Sequence, residues 1–496
     1  MEFEEFRESI EEIYVLEDSS SFLGWDQEVM MPEEGIKARK KHTEVISGIT
    51  HRKMSSDDLL EARKSLDEDE LDQGQKSVLR EVKRRQERAR KVPEKLQKKI
   101  SGKSSEAVES WRKAKSEDDF GIFEDNLREM VELKRELAKE IDPDEEPYRV
   151  LFREFEPYLD FDRVEEVMEE LGEKLPEMLE TIREKGKKVE GKALDVSLPE
   201  EKNMELARKT AGEIGFDFTR GRIDTSDHPF TTGNQFDTRI TTRFSDDSVL
   251  ENIAITMHET GHALYTQGVT DEKYGTPLGC PREMVIHESQ SRLWENHVGR
   301  SRPFWKYFAG ELRNFSEEFS DLAPEEAWKS VNKVEFDNRI RTEADEISYH
   351  LHIVLRFEIG RQLVNGDADV DELPELWNRK MEELLDVEVE SDSDGVLQDI
   401  HWGWGSFGYF PTYSLGSVLA AQIYDSASED LDGLEEDLQN GEFEPLLEWL
   451  RKNIHSMGQQ LETGDLIIQA TGEPLNAEHF LNYIREKYSG LYAIDL

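Results

Sequence analysis

Residues 250–262 read LENIAITMHETGH, a helix-compatible run that ends with two histidines four positions apart. Asp246 or Asp247 can cap the start of this helix. Because residues four apart share one face of an α-helix, His258 and His262 can direct imidazole nitrogens at one Zn²⁺ ion. We therefore predict a metal-binding helix. The alternative is a helix with two ordinary histidines.

The residues next to the two histidines indicate the type of site. Glu259 is turned by one helical step, which places its carboxylate beside the metal and not on it. There it can take a proton from a water whose pKa zinc has lowered to about 7. A metzincin would need Gly and His three and six residues after His262, but Tyr265 and Gly268 stand there. The metzincin class is therefore excluded.

A catalytic zinc site needs a third protein ligand and leaves one coordination position open. The next predicted helix begins near Pro281 and carries three candidates, His287, Glu288 and Glu295. Glu288 and Glu295 are seven apart and share a face, and His287 is one step away. Spacing alone leaves all three open, although the His₂Glu pattern of zinc peptidases favours a carboxylate.

Further motifs follow one another along the whole chain, and the ordered set resembles the carboxypeptidase Taq family of zinc metallocarboxypeptidases. The motifs are WDQE at 25–28, MMP at 30–32, HPF at 228–230, HETGH at 258–262, HESQ at 287–290, IRTEAD at 340–345, GVLQDIHW at 395–402 and ATGEPL at 470–475. The resemblance implies zinc ligands at His258, His262 and Glu288, with Glu259 as the general base. It also implies a homodimer, a mostly helical fold with a deep groove, and broad removal of single C-terminal residues from peptides. Co²⁺ is a substitute for Zn²⁺ in such a site.

A carboxypeptidase must bind the terminal carboxylate of its substrate, and a planar guanidinium does so with two parallel hydrogen bonds. Arg341 is the best candidate. We predict a helix over 338–360 that also carries Asp345 one turn on, where it can hold the guanidinium in place. The alternative is an ordinary surface pair of Arg341 and Asp345.

Other polar residues are candidates for contacts to the substrate. His228 and His401 stand beside residues that limit their motion, and each can donate to the oxyanion or to the substrate carboxylate. A lone histidine is more often a buried structural group. Tyr413 or Tyr409 can also donate to the oxyanion, and we prefer Tyr413. The strand predicted at 238–244 can pair with an extended peptide.

Helical periodicity dominates most of the chain, and the β-branched run at 238–244 is an exception. The fold class that follows is mainly α, a large helical body with a small central β-sheet flanking a deep active-site groove. We expect one metallocarboxypeptidase domain over 1–496. Within it, the N-terminal helices of 1–115 cover the groove, and 216–300 contains the sheet and the zinc-site core.

Charge excludes several classes of partner. The chain has 496 residues, with 63 Lys+Arg and 111 Asp+Glu, for a net charge of −48. Nucleic acids and anionic membranes are repelled by such a surface, whereas peptides remain as substrates. Cys280 has no second cysteine to pair with, which predicts a cytoplasmic protein. The acidic excess is spread along the whole chain, which predicts a salt-adapted organism.

Two alternatives to a carboxypeptidase stay open. An oligopeptidase would use the same metal chemistry to cut inside short peptides. A non-catalytic peptide-binding protein with a structural zinc would have no use for Glu259, and structural zinc usually has four protein ligands.

The acidic surface predicts a specific response to salt. At about 1 M salt the screening length is about 3 Å, so repulsion between surface carboxylates is damped. We expect dilution of the salt to weaken folding or dimerisation before it alters the zinc site. Circular dichroism, size-exclusion chromatography and activity across a salt series test this. Activity that disappears while the secondary structure and the dimer stay intact would contradict it.

Overall fold

The computed structural model of this protein describes residues 2–245 and 248–496. The chain is divided into two compact units, each assembled from three separate segments. The first contains Met1–Arg90, Gly191–Val331 and Ala420–Pro474, and the second contains Lys91–Glu190, Asn332–Leu419 and Leu475–Leu496. Neither unit is one continuous stretch of sequence. The expected single domain over 1–496, with 1–115 covering a groove, stays a prediction.

The fold is mainly α, as the helical periodicity predicts. The α-helices are α1 Phe3–Val29, α2 Ile36–Met54, α3 Asp57–Lys64, α4 Gln73–Lys91, α5 Glu94–Glu117, α6 Gly121–Ile141, α7 Pro147–Phe152, α8 Phe161–Lys185, α9 Glu200–Glu213, α10 Val249–Gly268, α11 Met284–Arg292, α12 Arg302–Phe315, α13 Pro324–Asn332, α14 Ser348–Asn365, α15 Leu373–Leu385, α16 His401–Trp404, α17 Pro411–Asp430, α18 Leu434–Asn440, α19 Glu444–Asn453, α20 Thr463–Thr471 and α21 Ala477–Tyr492. None of the helices in the described parts of the chain has both the length and the apolar character that a membrane span requires.

A small sheet in the first unit lies between α9 and α10 in the sequence. Its strands are β1 Gly221–Thr225, β2 Thr231–Asn234 and β3 Asp237–Thr242. The strand order is β1-β3-β2, with β3 parallel to β1 and antiparallel to β2. The strand predicted at 238–244 is therefore confirmed. Its predicted pairing with a peptide is wrong, because β1 and β2 already occupy both edges of β3.

The helix predicted to carry His258 and His262 is present as α10. It begins after Ser248, whose side-chain oxygen accepts a hydrogen bond from the backbone N–H of Leu250. This is an ordinary N-cap contact, which satisfies one of the free N–H groups at the start of a helix. The candidate caps Asp246 and Asp247 lie outside the described residues.

The backbones of α10 and α11 come into direct contact at Gly261. A Cβ atom at this position would lie 2.6 Å from the carbonyl oxygen of Gln290 and 2.6 Å from the Cα atom of Ser291. Only glycine therefore allows the two helices to pack this closely. Helix α11 begins slightly after the predicted Pro281 and continues into a wider π-helical segment, Leu293–Val298.

In the second unit, the helix predicted over 338–360 begins later than expected. Arg341 lies in a short 3-10 turn, and α14 begins only at Ser348. The reason is Asp345, whose Oδ1 accepts hydrogen bonds from the backbone N–H groups of Ile347 at 2.9 Å and Ser348 at 3.1 Å. A carboxylate that binds the free N–H groups favours a helix start at that point. The predicted role of Asp345 in holding Arg341 is therefore wrong.

The packing at Gly261 leads to a stability prediction. We expect Gly261→Ala to lower the free energy of unfolding by about 1–3 kcal/mol, because the added methyl group would meet backbone atoms that cannot move aside. Gly24→Ala in α1 is the matched control, since nothing lies within 4 Å of a Cβ there. That substitution should raise the stability by up to about 1 kcal/mol. Urea unfolding of the metal-free proteins measures both, and equal stabilities would contradict the packing argument.

Candidate metal centre

Three side chains of the types that bind metals converge between α10 and α11 in the first unit. Nε2 of His258 lies 3.7 Å from Oε2 of Glu288, and Nε2 of His262 lies 3.4 Å from the same oxygen. Ligand atoms about 2 Å from a tetrahedral zinc are about 3.3 Å from one another, so these distances fit a zinc-sized ion. Across residues 2–245 and 248–496, no second group of three such ligands is found.

Glu288 is buried and turned so that one carboxylate oxygen faces the histidines. Its other oxygen, Oε1, accepts a hydrogen bond of 2.8 Å from Nε of Arg292, one helical turn further on. Burial by itself would raise the pKa of this carboxyl. The positive charge of Arg292 and, in the metal-free protein, that of protonated His258 outweigh that effect and hold the pKa of Glu288 well below its usual range. Glu288 is therefore an anionic group with Oε2 directed at the candidate metal position.

Glu295, the second carboxylate candidate, lies behind His258. Its Oε2 is 2.9 Å from Nδ1 of His258 and accepts a hydrogen bond of 3.1 Å from Arg292. Burial opposes ionisation here too, but Arg292 and the contact with His258 hold the pKa of Glu295 well below its usual range. With the proton on Nδ1, the His258 imidazole keeps an unprotonated Nε2 for a metal. Glu295 thus orients a histidine.

His287, the remaining candidate, has the corresponding position behind His262. The two Nδ1 atoms are 2.6 Å apart. Burial holds the pKa of His287 well below its ordinary value, so its ring is neutral at neutral pH. When a neutral His287 accepts the proton of His262 Nδ1–H, Nε2 of His262 is left unprotonated. The three candidates left open by spacing thus differ in position, and only Glu288 faces both histidines.

Glu259 is buried on α10 and contacts the neighbouring sheet. Its Oε2 accepts a hydrogen bond of 2.7 Å from the hydroxyl of Thr231 on β2. Thr231 is a residue that the sequence analysis missed. Its position directly after the HPF motif at 228–230 was the available signal.

Three of the predicted substrate-binding residues lie together in the second unit, whereas His228 does not. The guanidinium carbon of Arg341 is 5.4 Å from the ring centre of Tyr413, and the His401 ring is 6.4 Å from the same ring. Nη2 of Arg341 donates to Oδ1 of Asp399 at 2.7 Å. His228 lies in the first unit, exposed in the loop between β1 and β2.

The cluster around Arg341 carries an excess of positive charge. Asp399 also accepts a hydrogen bond of 2.6 Å from Nε of Arg356, a fully buried residue of α14 that the sequence analysis missed. Two guanidinium groups thus share one carboxylate. Burial lowers the pKa of His401 to about 4 against the opposing charge of Asp399, so this ring adds no positive charge at neutral pH. The electrostatics of the cluster favour an added anion.

Comparison with known proteins gives a consistent result over almost the whole chain. The model of the family described as carboxypeptidase Taq (M32) metallopeptidase matches residues 5–488. Carboxypeptidase 1 of Bacillus subtilis is 33% identical over 494 residues, which cover 99% of this chain and 98% of that protein. Thermostable carboxypeptidase 1 of Pyrococcus furiosus is 36% identical over 485 residues, 96% of each protein. The crystal structure of an M32 carboxypeptidase from Deinococcus radiodurans R1 matches with a TM-score of 0.95 and 33% identity, covering 99% of both chains.

The contact between His258 and Glu295 leads to a metal-binding prediction. Glu295→Gln keeps an acceptor for Nδ1–H but removes the negative charge, so we expect zinc affinity to fall by about 10-fold to 100-fold. The control is Glu251→Gln on α10, two turns before His258, where the carboxylate pairs with Arg243. Competition with a chromophoric chelator at neutral pH measures both affinities. An unchanged affinity in Glu295→Gln, or an equal loss in the control, would contradict the orienting role.

Proposed function

Because this chain belongs to the carboxypeptidase Taq (M32) metallopeptidase family, we propose that it is a zinc-dependent carboxypeptidase that releases single residues from peptide C-termini with broad specificity. The observation that carries the proposal is the convergence of His258, His262 and Glu288, with Glu259 between the two histidines on α10. This grouping of three candidate ligands, in a chain that matches the family over nearly its full length, supports metal-assisted hydrolysis as the reaction.

We propose that His258, His262 and Glu288 hold the metal. Two imidazole nitrogens and one carboxylate oxygen are the donor set of catalytic zinc in peptidases, and they leave a coordination position for water or substrate. Zn²⁺ is the proposed ion, with Co²⁺ as a substitute. When bound, it would act as a Lewis acid toward the scissile carbonyl and would lower the pKa of water to about 7.

Glu259 is the proposed general base and acid. Its carboxylate takes one proton from the attacking water, whose oxygen then bonds to the carbonyl carbon. As the C–N bond breaks, Glu259 gives that proton to the leaving amine and returns to its ionised form. Its Oε2 is held by Thr231, so Oε1 is the oxygen proposed to exchange the proton.

Arg341 is the proposed contact for the C-terminal carboxylate of the substrate. The excess positive charge around Asp399 supports this role. Because Asp399 occupies the Nε and Nη2 edge of the guanidinium, the N–H groups of Nη1 and the remaining N–H of Nη2 are the donors proposed to bind the substrate carboxylate. His401, Tyr413 and His228 remain proposed donors to the carboxylate or the oxyanion. The homodimer, the cytoplasmic location and the salt adaptation also remain proposals.

Substitution of the two glutamates should separate metal binding from catalysis. Glu259→Gln should retain zinc but lower kcat by about 10² to 10⁴, because no group remains to take the proton from water. Glu288→Ala should lose zinc as well as activity, because it removes a ligand. Inductively coupled plasma mass spectrometry and steady-state kinetics measure the two effects. Wild-type zinc content in Glu288→Ala would contradict the ligand assignment.

The products formed from a decapeptide test the exopeptidase reaction directly. We expect mass spectrometry to detect successive loss of single C-terminal residues, and no cleavage of the same peptide with an amidated C-terminus, because Arg341 would lose its anionic partner. A chelator should stop the removal of C-terminal residues. Internal fragments, or cleavage of the amidated peptide, would favour an oligopeptidase. A chelator that unfolds a protein inactive in every assay would favour a structural zinc.

A further inference from the structure

We propose that Thr231 is a positioning residue for the general base, which fixes the orientation of the Glu259 carboxylate through the contact between β2 and α10. The proposal rests on the function proposed above and adds to it a residue outside the metal-binding helices. It follows from the hydrogen bonds of one hydroxyl group and from the rigidity of the strand that carries it.

The Thr231 hydroxyl lies between two acceptors of the same glutamate. Its Oγ1 is 2.7 Å from Oε2 of Glu259 and 2.9 Å from the backbone carbonyl oxygen of Glu259. With its hydrogen on Oε2, it stabilises the ionised carboxylate. When Oε1 carries the proton, Oε2 is still an acceptor, so the same hydrogen bond can remain. One hydroxyl can thus satisfy Glu259 before and after it receives the proton.

The partner of Glu259 differs in kind from the partners of the other two site carboxylates. Glu288 and Glu295 each bind Arg292, and a fixed positive charge favours the ionised state of a carboxylate. Thr231 supplies a hydrogen bond without that charge. The Glu259 carboxylate is therefore oriented by a hydrogen bond from a neutral side chain on the sheet and not by an ion pair.

The hydroxyl is held in place by the sheet. Thr231 is opposite the fully buried Ile240 of β3. Two hydrogen bonds to Thr241 hold the preceding residue, Phe230. Its backbone N–H donates to Oγ1 of Thr241 at 2.8 Å, and its carbonyl oxygen accepts from the backbone N–H of Thr241 at 2.8 Å. A β-branched side chain on a fixed strand has few rotamers, so little entropy is lost when it binds Glu259.

Two variants of Thr231 and one control test the proposal. Thr231→Val keeps the shape but removes the hydroxyl, and Thr231→Ser keeps the hydroxyl. The control is Thr232→Val, because side chains alternate along a strand and this one points to the opposite face. We expect Thr231→Val to lower kcat by about 10-fold to 100-fold with KM and zinc content within about twofold. Thr231→Ser and Thr232→Val should stay within about threefold of wild type.

A crystal structure and a double variant distinguish a positioning role of Thr231 from a role in fold stability alone. Thermal unfolding is recorded for every variant, and Thr231→Ala, also without a hydroxyl, is measured alongside the valine variant in case valine impairs folding. A crystal structure of metal-free Thr231→Val should show the Glu259 carboxylate turned away from its wild-type position. In the Glu259→Gln background, Thr231→Val should have no further effect on kcat, because it acts through Glu259.

Contrary results are equally specific. A kcat within twofold of wild type in both Thr231→Val and Thr231→Ala, with Glu259→Gln inactive, would overturn the positioning role and leave the proposed function intact. Equal losses in Thr231→Ser and Thr231→Val would also overturn it, because the hydroxyl would then be irrelevant. Full activity of Glu259→Gln would overturn both proposals.

Discussion

The direct contact of α10 and α11 at Gly261 is the constraint on which the metal centre depends. Glycine lets the two backbones approach to a distance at which a side chain would meet the carbonyl of Gln290. The next residue on α10 is His262, and Glu288 precedes Gln290 by half a helical turn, so the contact brings these side chains within 3.4 Å of each other. Gly261 therefore determines the spacing of the side chains in the candidate metal centre, although it contributes no ligand. A bulkier residue would move the third ligand away from the first two.

Buried charge is compensated in a different way at each part of the molecule. In the first unit, Arg292 donates hydrogen bonds to both Glu288 and Glu295, so both buried carboxylates stay ionised. Glu288 faces the two histidines, and Glu295 contacts Nδ1 of His258. In the second unit there are two cations for one anion, since Arg341 and Arg356 share the single carboxylate of Asp399. The first arrangement suits a cation and the second suits an anion.

Local periodicity was sufficient to predict some features, and long-range packing determined the others. The spacing of His258 and His262 predicts their common face, because it depends on one helix only. Spacing left His287, Glu288 and Glu295 open, since the choice depends on how α11 and its π-helical continuation are turned against α10. The family resemblance selected Glu288, and Glu288 is the candidate whose carboxylate faces both histidines.

The wrong predictions have the same origin. The four-residue spacing of Arg341 and Asp345 fits a helical pair, but Asp345 caps α14 and Asp399, far along the chain, binds Arg341 instead. The strand over 238–244 is recognisable from its β-branched residues, whereas its central place in the sheet depends on β1 and β2. Thr231 was missed because its partner, Glu259, is distant in sequence. A contact between side chains of two distant elements leaves no pattern in the sequence around either residue.

The most direct test of the account is an anomalous diffraction measurement on crystals of the zinc-loaded protein at the zinc absorption edge. The account predicts one strong peak, about 2 Å from Nε2 of His258, Nε2 of His262 and a carboxylate oxygen of Glu288, with Glu295 outside bonding distance. A peak bound by Glu295 or His287 in place of Glu288, or located away from α10 and α11, would contradict it.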